Sequence, residues 1–378
     1  MIKNCQLFKN INQINWWLDK VKLSNDEFNM INEDIDWIHN FNDKEEYSWE
    51  LNEEEYNLEK EKLFSKMLNS NIVSKDWDLL LRKRATQHIE ELFEKCVDDE
   101  TLVVTSSFEH FSVENIRNKC KNAIRFDDED DNSIITYKLD YCVNEAKKYK
   151  KTFIYLIATE CVTGRRHDNN VYKKLHDKLK EENIHFIMVL DAVQEMFIYP
   201  RDYSFYDYII GTVHSTYDKF DQGLLLQKLK PINYTFYGYK NVDVLKRLNR
   251  GLDIILKRHP YILMYNTIME ESLNKDLFYK FNSYKSQPNF YSMYKTGDFL
   301  YNDEIINYVK NMQKKGKNIH SGASIDISYH KPYREMVIGF RAQSLMFDED
   351  EIIERYNNFC YNYKKLCTMI MRENAKRL

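Results

Sequence analysis

Residues 184–197 read IHFIMVLDAVQEMF. An apolar run of this length, with no polar residue at alternate positions after His185, is a strand covered on both faces. It delivers a carboxylate, Asp191, at its C-terminal end, and Gln194 follows three residues later. A carboxylate closing so apolar a strand is costly unless donors or a cation meet it. Working outward, similar runs occur upstream as TLVVTSS (101–107) and TFIYLIAT (152–159), and downstream as DYIIGTV (207–213). A shorter strand is read in DWDLLLRKR (76–84). Between them lie stretches of helical periodicity: TQHIEELFEKC (86–96), VENIRNKCKNAI (113–124), LDYCVNEAKKYK (139–150) and VYKKLHDKLKEEN (171–183). Strands alternating with helices of this length predict a mostly parallel sheet between helices.

In such sheets ligands bind where the strands end. The loops there are SSFEHFS, TECVTGRRHD, DAVQEMF and HSTYDKFDQG, which gather His, Gln, Thr and Asp. After residue 245 the pattern changes to longer helices, with short strand-like pieces such as SIDISYH and EMVIGFRAQ between them. This predicts a helical segment over 1–70 belonging to the smaller domain, a large α/β domain over 71–245 and a smaller α+β domain over 246–378.

The 378 residues carry 55 Lys and Arg against 59 Asp and Glu, a net charge of −4, so composition offers no electrostatic reason to invoke nucleic acid. Seven cysteines lie scattered without CxxC or Cys/His spacing, which argues against a structural zinc site and for reduced thiols. No run approaches the ~18 apolar residues of a membrane helix, and the first residues lack a secretory apolar core. The expectation is a cytoplasmic protein without membrane or nucleic-acid partners.

The loop series resembles the class V aminotransferase and cysteine desulfurase branch of the fold type I enzymes that use pyridoxal 5'-phosphate (PLP). The resemblance covers roughly residues 60–350 and rests on order and spacing. It implies the aminotransferase-type α/β fold, with Thr86 at the helix turn that holds the cofactor phosphate, although Arg84 and Ala85 stand where the family has glycine. It implies that the His110 ring stacks on the pyridine ring, that Asp191 meets the pyridine nitrogen and that Gln194 reaches the phenolic oxygen. Thr212 and His214 occupy the phosphate-binding positions, and Arg341 the position that grips a substrate carboxylate. Cys161, three residues before Gly164, replaces the family's asparagine.

The family's Schiff-base lysine follows the histidine directly; here that residue is Ser215. Two readings stand. In one, Lys219 reaches the cofactor from a lengthened loop. In the other, the lysine is lost, leaving an unusual PLP enzyme or a non-catalytic ligand-binding protein. The loop before residue 335 has no cysteine, which argues against desulfurase activity. The resemblance implies a homodimeric, aminotransferase-like enzyme acting at the α-carbon of an amino acid, a small-molecule substrate, in specialised biosynthesis.

Overall fold

The computed structural model describes residues 19–20, 22–41, 52–107, 109–129, 135–160, 166–213, 222–229, 234–271, 278–280, 291–296, 302–315, 325–330, 335–341 and 349–376. These form α1 (Asn25–Asn40), α2 (Glu53–Ser65), β1 (Trp77–Arg82), α3 (Ala85–Cys96), β2 (Thr101–Thr105), α4 (Phe111–Arg117), β3 (Ala123–Arg125), β4 (Asp127–Glu129), β5 (Ile135–Tyr137), α5 (Leu139–Ala146), β6 (Lys151–Ile157), α6 (Asn169–Glu181), β7 (Phe186–Asp191), β8 (Tyr208–Thr212), β9 (Gly223–Lys228), α7 (Val242–Glu271), β10 (Phe278–Lys280), β11 (Tyr291–Thr296), α8 (Asp303–Lys315), β12 (Ile325–His330), β13 (Glu335–Arg341) and α9 (Glu349–Ala375). They divide into two compact units, Ile31–Asp253 and Met1–Met30 with Ile254–Leu378.

The first unit is built on a seven-stranded sheet of order β1-β9-β8-β7-β6-β2-β3. The pairs β2–β3, β2–β6, β6–β7 and β7–β8 are parallel, whereas β9 is antiparallel to both β8 and β1. The apolar runs explain the centre: Phe153, Tyr155, Val189 and Ile210 are buried, and so are the alternate residues Ile154, Leu156, Met188, Leu190 and Ile209. Both faces are therefore covered, as a parallel sheet requires. Helix α3 supplies one cover, because Ile89, Leu92, Phe93 and Cys96 recur at helical spacing and pack into the core with Tyr155, Val189 and Leu225. Helix α6 buries Tyr172, Leu175 and Leu179, and Tyr172 Oη donates to the Ile157 carbonyl at 2.9 Å.

Three elements differ from the sequence reading. The helix expected over 113–124 ends at Arg117, because Ala123–Arg125 pairs with β2 as a short edge strand. Asp127–Glu129, which the sequence reading assigned to no strand, pairs antiparallel with Ile135–Tyr137. Strand β9 was not anticipated; as the one antiparallel member it starts at the edge where β8 ends, Gly223 opposite Thr212, and runs back across the sheet.

The second unit holds an antiparallel sheet of order β10-β11-β13-β12. Helices α8 and α9 contribute the buried Ile305, Val309, Leu366 and Ile370. Asn302 Oδ1 accepts from Ile305 N at 2.9 Å and caps α8. With its large parallel-rich sheet and a smaller α+β unit, the chain has the expected aminotransferase-type fold. Helix α7 continues through Pro260 to Glu271; the proline removes one backbone bond, and the run after it carries on the helix.

Gly223 opens β9 opposite both Thr212 and Arg82. A Cβ there would lie 2.4 Å from Ala85 N and from the Arg84 carbonyl carbon, closer than real contacts allow. The sheet and the start of α3 touch backbone to backbone, which only glycine permits. Gly223→Ala is expected to destabilise the protein by about 1–3 kcal/mol, read as a lower urea midpoint; an unchanged midpoint would contradict this packing.

Candidate functional site

Of the expected residues that are described, those of the first unit meet at one edge of the large sheet. Asp191 closes β7 and is buried at 5% exposure. Tyr155, two residues before the end of β6, reaches up the same face and donates its hydroxyl to Asp191 Oδ2 at 2.7 Å. The Val193 amide donates to Oδ1 at 3.0 Å. Burial pushes the Asp191 carboxyl above its ordinary range, with these donors and His110 opposing. No lysine or arginine pairs with it among the described residues.

His110 caps α4 and is half-buried. Its Nδ1 lies 2.6 Å from Ser112 Oγ and accepts from the Ser112 amide at 3.3 Å. Burial pushes its pKa below the usual imidazole value, and the Asp191 charge works the other way. Burial thus favours the uncharged ring, and Ser112 holds Nδ1.

Thr86 sits in the first turn of α3, half-buried. Arg84 N donates to Gln87 Oε1 at 3.2 Å, so the helix start is held by its own sequence. Gly223 presses on this turn, and Thr212, buried, is its partner across the ladder. A helix N-terminus approached this closely by a glycine and a threonine is a setting in which an anion can be held. Gln194 is half-buried on the turn after Asp191. His214, Ser215 and Lys219 lie outside the described residues, as do Cys161 and Gly164. Arg341 ends β13, opposite Tyr291, in the other unit; its side chain is not among those described.

The sequence reading missed what holds this edge together. Glu195, next to Gln194, is wholly buried. It accepts from Thr159 Oγ1 at 2.6 Å and Arg166 Nε at 2.9 Å, and it pairs with the buried Arg201. Arg201 also donates to the carbonyls of Ala158 (3.2 Å) and His167 (2.9 Å) and to Asn169 Oδ1 (3.1 Å). One carboxylate and one guanidinium thus lock the turn carrying Asp191 and Gln194 to the chain after β6. Glu195 inside QEMFIYP was the available signal, since a charge in an apolar run needs a partner. Tyr155 gave none, for it reads as one more core aromatic.

Burial works against the Glu195 charge, yet Arg201 and Arg166 hold its pKa down to about 2, against an ordinary 4.5. A depressed acid contributes stability that is complete above about pH 4.5 and is lost as pH falls toward 2. Glu195→Gln leaves Arg201 buried without its counter-ion. It should lower stability at pH 7 by about 3–5 kcal/mol and flatten the acid limb. Urea unfolding at pH 7 and pH 3.5 checks both; wild-type stability at pH 7 would refute the role.

No family model matches this chain, and no curated protein matches it in sequence. Solved structures match its fold. A NifS-like protein from Rickettsia africae superposes with a TM-score of 0.60 at 13% identity, covering 89% of this chain and 96% of that one. Serine palmitoyltransferase from Sphingomonas wittichii gives 0.59 at 9% identity, with 92% and 85% covered. A PLP-bound putative aminotransferase from Clostridium difficile gives 0.56 at 10% identity, with 90% and 89% covered. The likeness is one of fold, across nearly the whole of each chain.

Proposed function

We propose that this chain is a PLP-dependent enzyme acting at the α-carbon of an amino acid. The observation that carries the reading is the convergence, at one sheet edge, of a buried carboxylate, an imidazole and a helix N-terminus packed on glycine. Each fits a different part of the cofactor. Asp191 is buried without a cation among the described residues, and a protonated pyridine nitrogen is the charge that would balance it. The amides opening α3, with Thr86 and Thr212, would hold the phosphate. His110 would lie against the ring, and Gln194 would meet its phenolic oxygen. When bound, PLP supplies an electron sink for a carbanion at the substrate α-carbon.

The chain's own residues do the rest. Tyr155 and the Val193 amide orient Asp191, while Glu195 and Arg201 keep its turn in place. His214 is proposed to assist at the phosphate, and Arg341 to grip the substrate carboxylate, both on the resemblance alone. Lys219 is proposed as covalent anchor and proton carrier. It lies four residues before Gly223, so the chain holds its Cα within about 14 Å of that glycine. Transamination is the favoured outcome, in specialised biosynthesis. Ser215 at the family's lysine position supports a second reading, in which PLP binds without a covalent link and His110 or His214 moves the proton.

Purified protein with added PLP should gain an absorbance band at the violet edge that borohydride fixes as a reduced adduct on Lys219. Lys219→Ala should abolish the adduct while PLP still binds. Bound PLP with no adduct in the wild type would favour the lysine-free reading, and no binding would remove the cofactor assignment. Asp191→Asn should retain PLP but lower turnover by roughly 100-fold, the loss of a buried ion pair worth about 3 kcal/mol; unchanged turnover would refute the role of Asp191.

A further inference from the structure

A second cluster lies at the same edge of the sheet and has no part in the reading above. Asp127 opens β4, and Glu160 and His167 flank the segment between β6 and α6. All three are buried, at 1%, 0% and 2% exposure. Among the described residues this is the group of carboxylate and imidazole side chains whose donor atoms all lie within 4.8 Å of one another.

Two of these donor atoms are orphaned while their companions are tied down. Asp127 Oδ1 accepts from the Ser107 amide at 2.5 Å, and the Ser107 hydroxyl donates to the Asp127 carbonyl at 2.8 Å. Asp127 Oδ2 lies 3.8 Å from His167 Nδ1 and has no hydrogen-bond partner. His167 Nδ1 lies 3.2 Å from Tyr137 Oη. Its Nε2 lies 3.1 Å from Glu160 Oε1, but not in hydrogen-bonding geometry, and it too is unpartnered. The ring itself is fixed by stacking on Tyr172, with centroids 5.7 Å apart. Orphaned donor atoms on side chains oriented through their other atoms are the arrangement of metal ligands with an outer shell in place. No lysine or arginine pairs with Asp127 among the described residues.

We propose that Asp127, Glu160 and His167 bind a divalent first-row cation, Mn2+ or Zn2+ in class, with Ser107 and Tyr137 as its outer shell. One nitrogen and two carboxylates suit these ions better than Ca2+ or Mg2+. Ligands at about 2.1 Å from a cation stand at most about 4.2 Å apart, so the three atoms close on it with shifts below about 1 Å. The ion would pin Glu160 and His167 to the strand beside Ser107, and Ser107 lies on the loop that carries His110. The site does not depend on PLP, and its test reads metal alone.

The full-length, tag-free chain is stripped with chelator and titrated with Zn2+ by calorimetry and with Mn2+ by electron paramagnetic resonance. One equivalent per chain is expected, with a rise in thermal midpoint. His167→Gln should abolish stoichiometric binding, and Tyr137→Phe, which removes only an outer-shell hydroxyl, should weaken it roughly 10-fold. Should a variant fail to fold, spin-echo spectra of Mn2+ on the wild type decide the matter through the imidazole nitrogen coupling. Absence of binding, bound Mn2+ without that coupling, or wild-type affinity in both folded variants would overturn the proposal; the last would place the ion elsewhere.

Discussion

Glu195 and Arg201 are buried together, and the candidate site hangs on that pair. Neither is stable in the interior alone, since an unpaired charge there costs several kcal/mol. Together they use nearly every donor and acceptor they own on backbone and side chains of two neighbouring strand-end segments. The guanidinium reaches the carbonyls of Ala158 and His167, and the carboxylate gathers Thr159 and Arg166. Loops at strand ends are otherwise the mobile part of an α/β fold. Here the described residues of two of them are tied together, with Asp191 on one side and the Asp127–Glu160–His167 group on the other.

The same edge shows how a parallel sheet sorts chemistry from packing. Below it, both faces of β6, β7 and β8 are apolar and covered. At the edge, the first polar side chains inherit the fixed positions of the strands beneath them. Tyr155 is the clearest case: its ring belongs to the core, packed 5.5 Å from Phe93, while its hydroxyl orients Asp191. The glycine contact at the start of α3 does the same with backbone atoms, bringing helix amides to the edge where Thr212 ends its strand.

Much of this was legible beforehand because parallel strands advertise themselves. TLVVT, TFIYLI, FIMVLD and YIIGT are apolar at successive positions, and each became a buried strand. Strands β3 and β9 were not read in this way. Ala123–Arg125 is short and mostly exposed, so its residues read as the tail of a helix until β2 pairs with them. GLLLQK looked like loop because its strand character depends on lying between β8 and β1. Helix α7 runs through Pro260, since a proline inside a helix costs one hydrogen bond and a long helix can bear that.

Single residues divide in the same manner. Asp191 could be picked out from sequence because it closes a recognisable apolar strand, and His110 because the loop after TLVVTSS resembles the family's. Glu195, Arg201, Asp127 and His167 could not be assigned partners, because those partners are distant along the chain and meet only through crossovers of the sheet. Sequence by itself determined the alternation of strands and helices, the apolar core and the loops that carry polar groups, since each follows from local periodicity and the need to bury apolar surface. Only the tertiary structure decided which charges face each other in the interior, because a buried charge is tolerated solely by the atoms packed against it, and those are set by the fold as a whole.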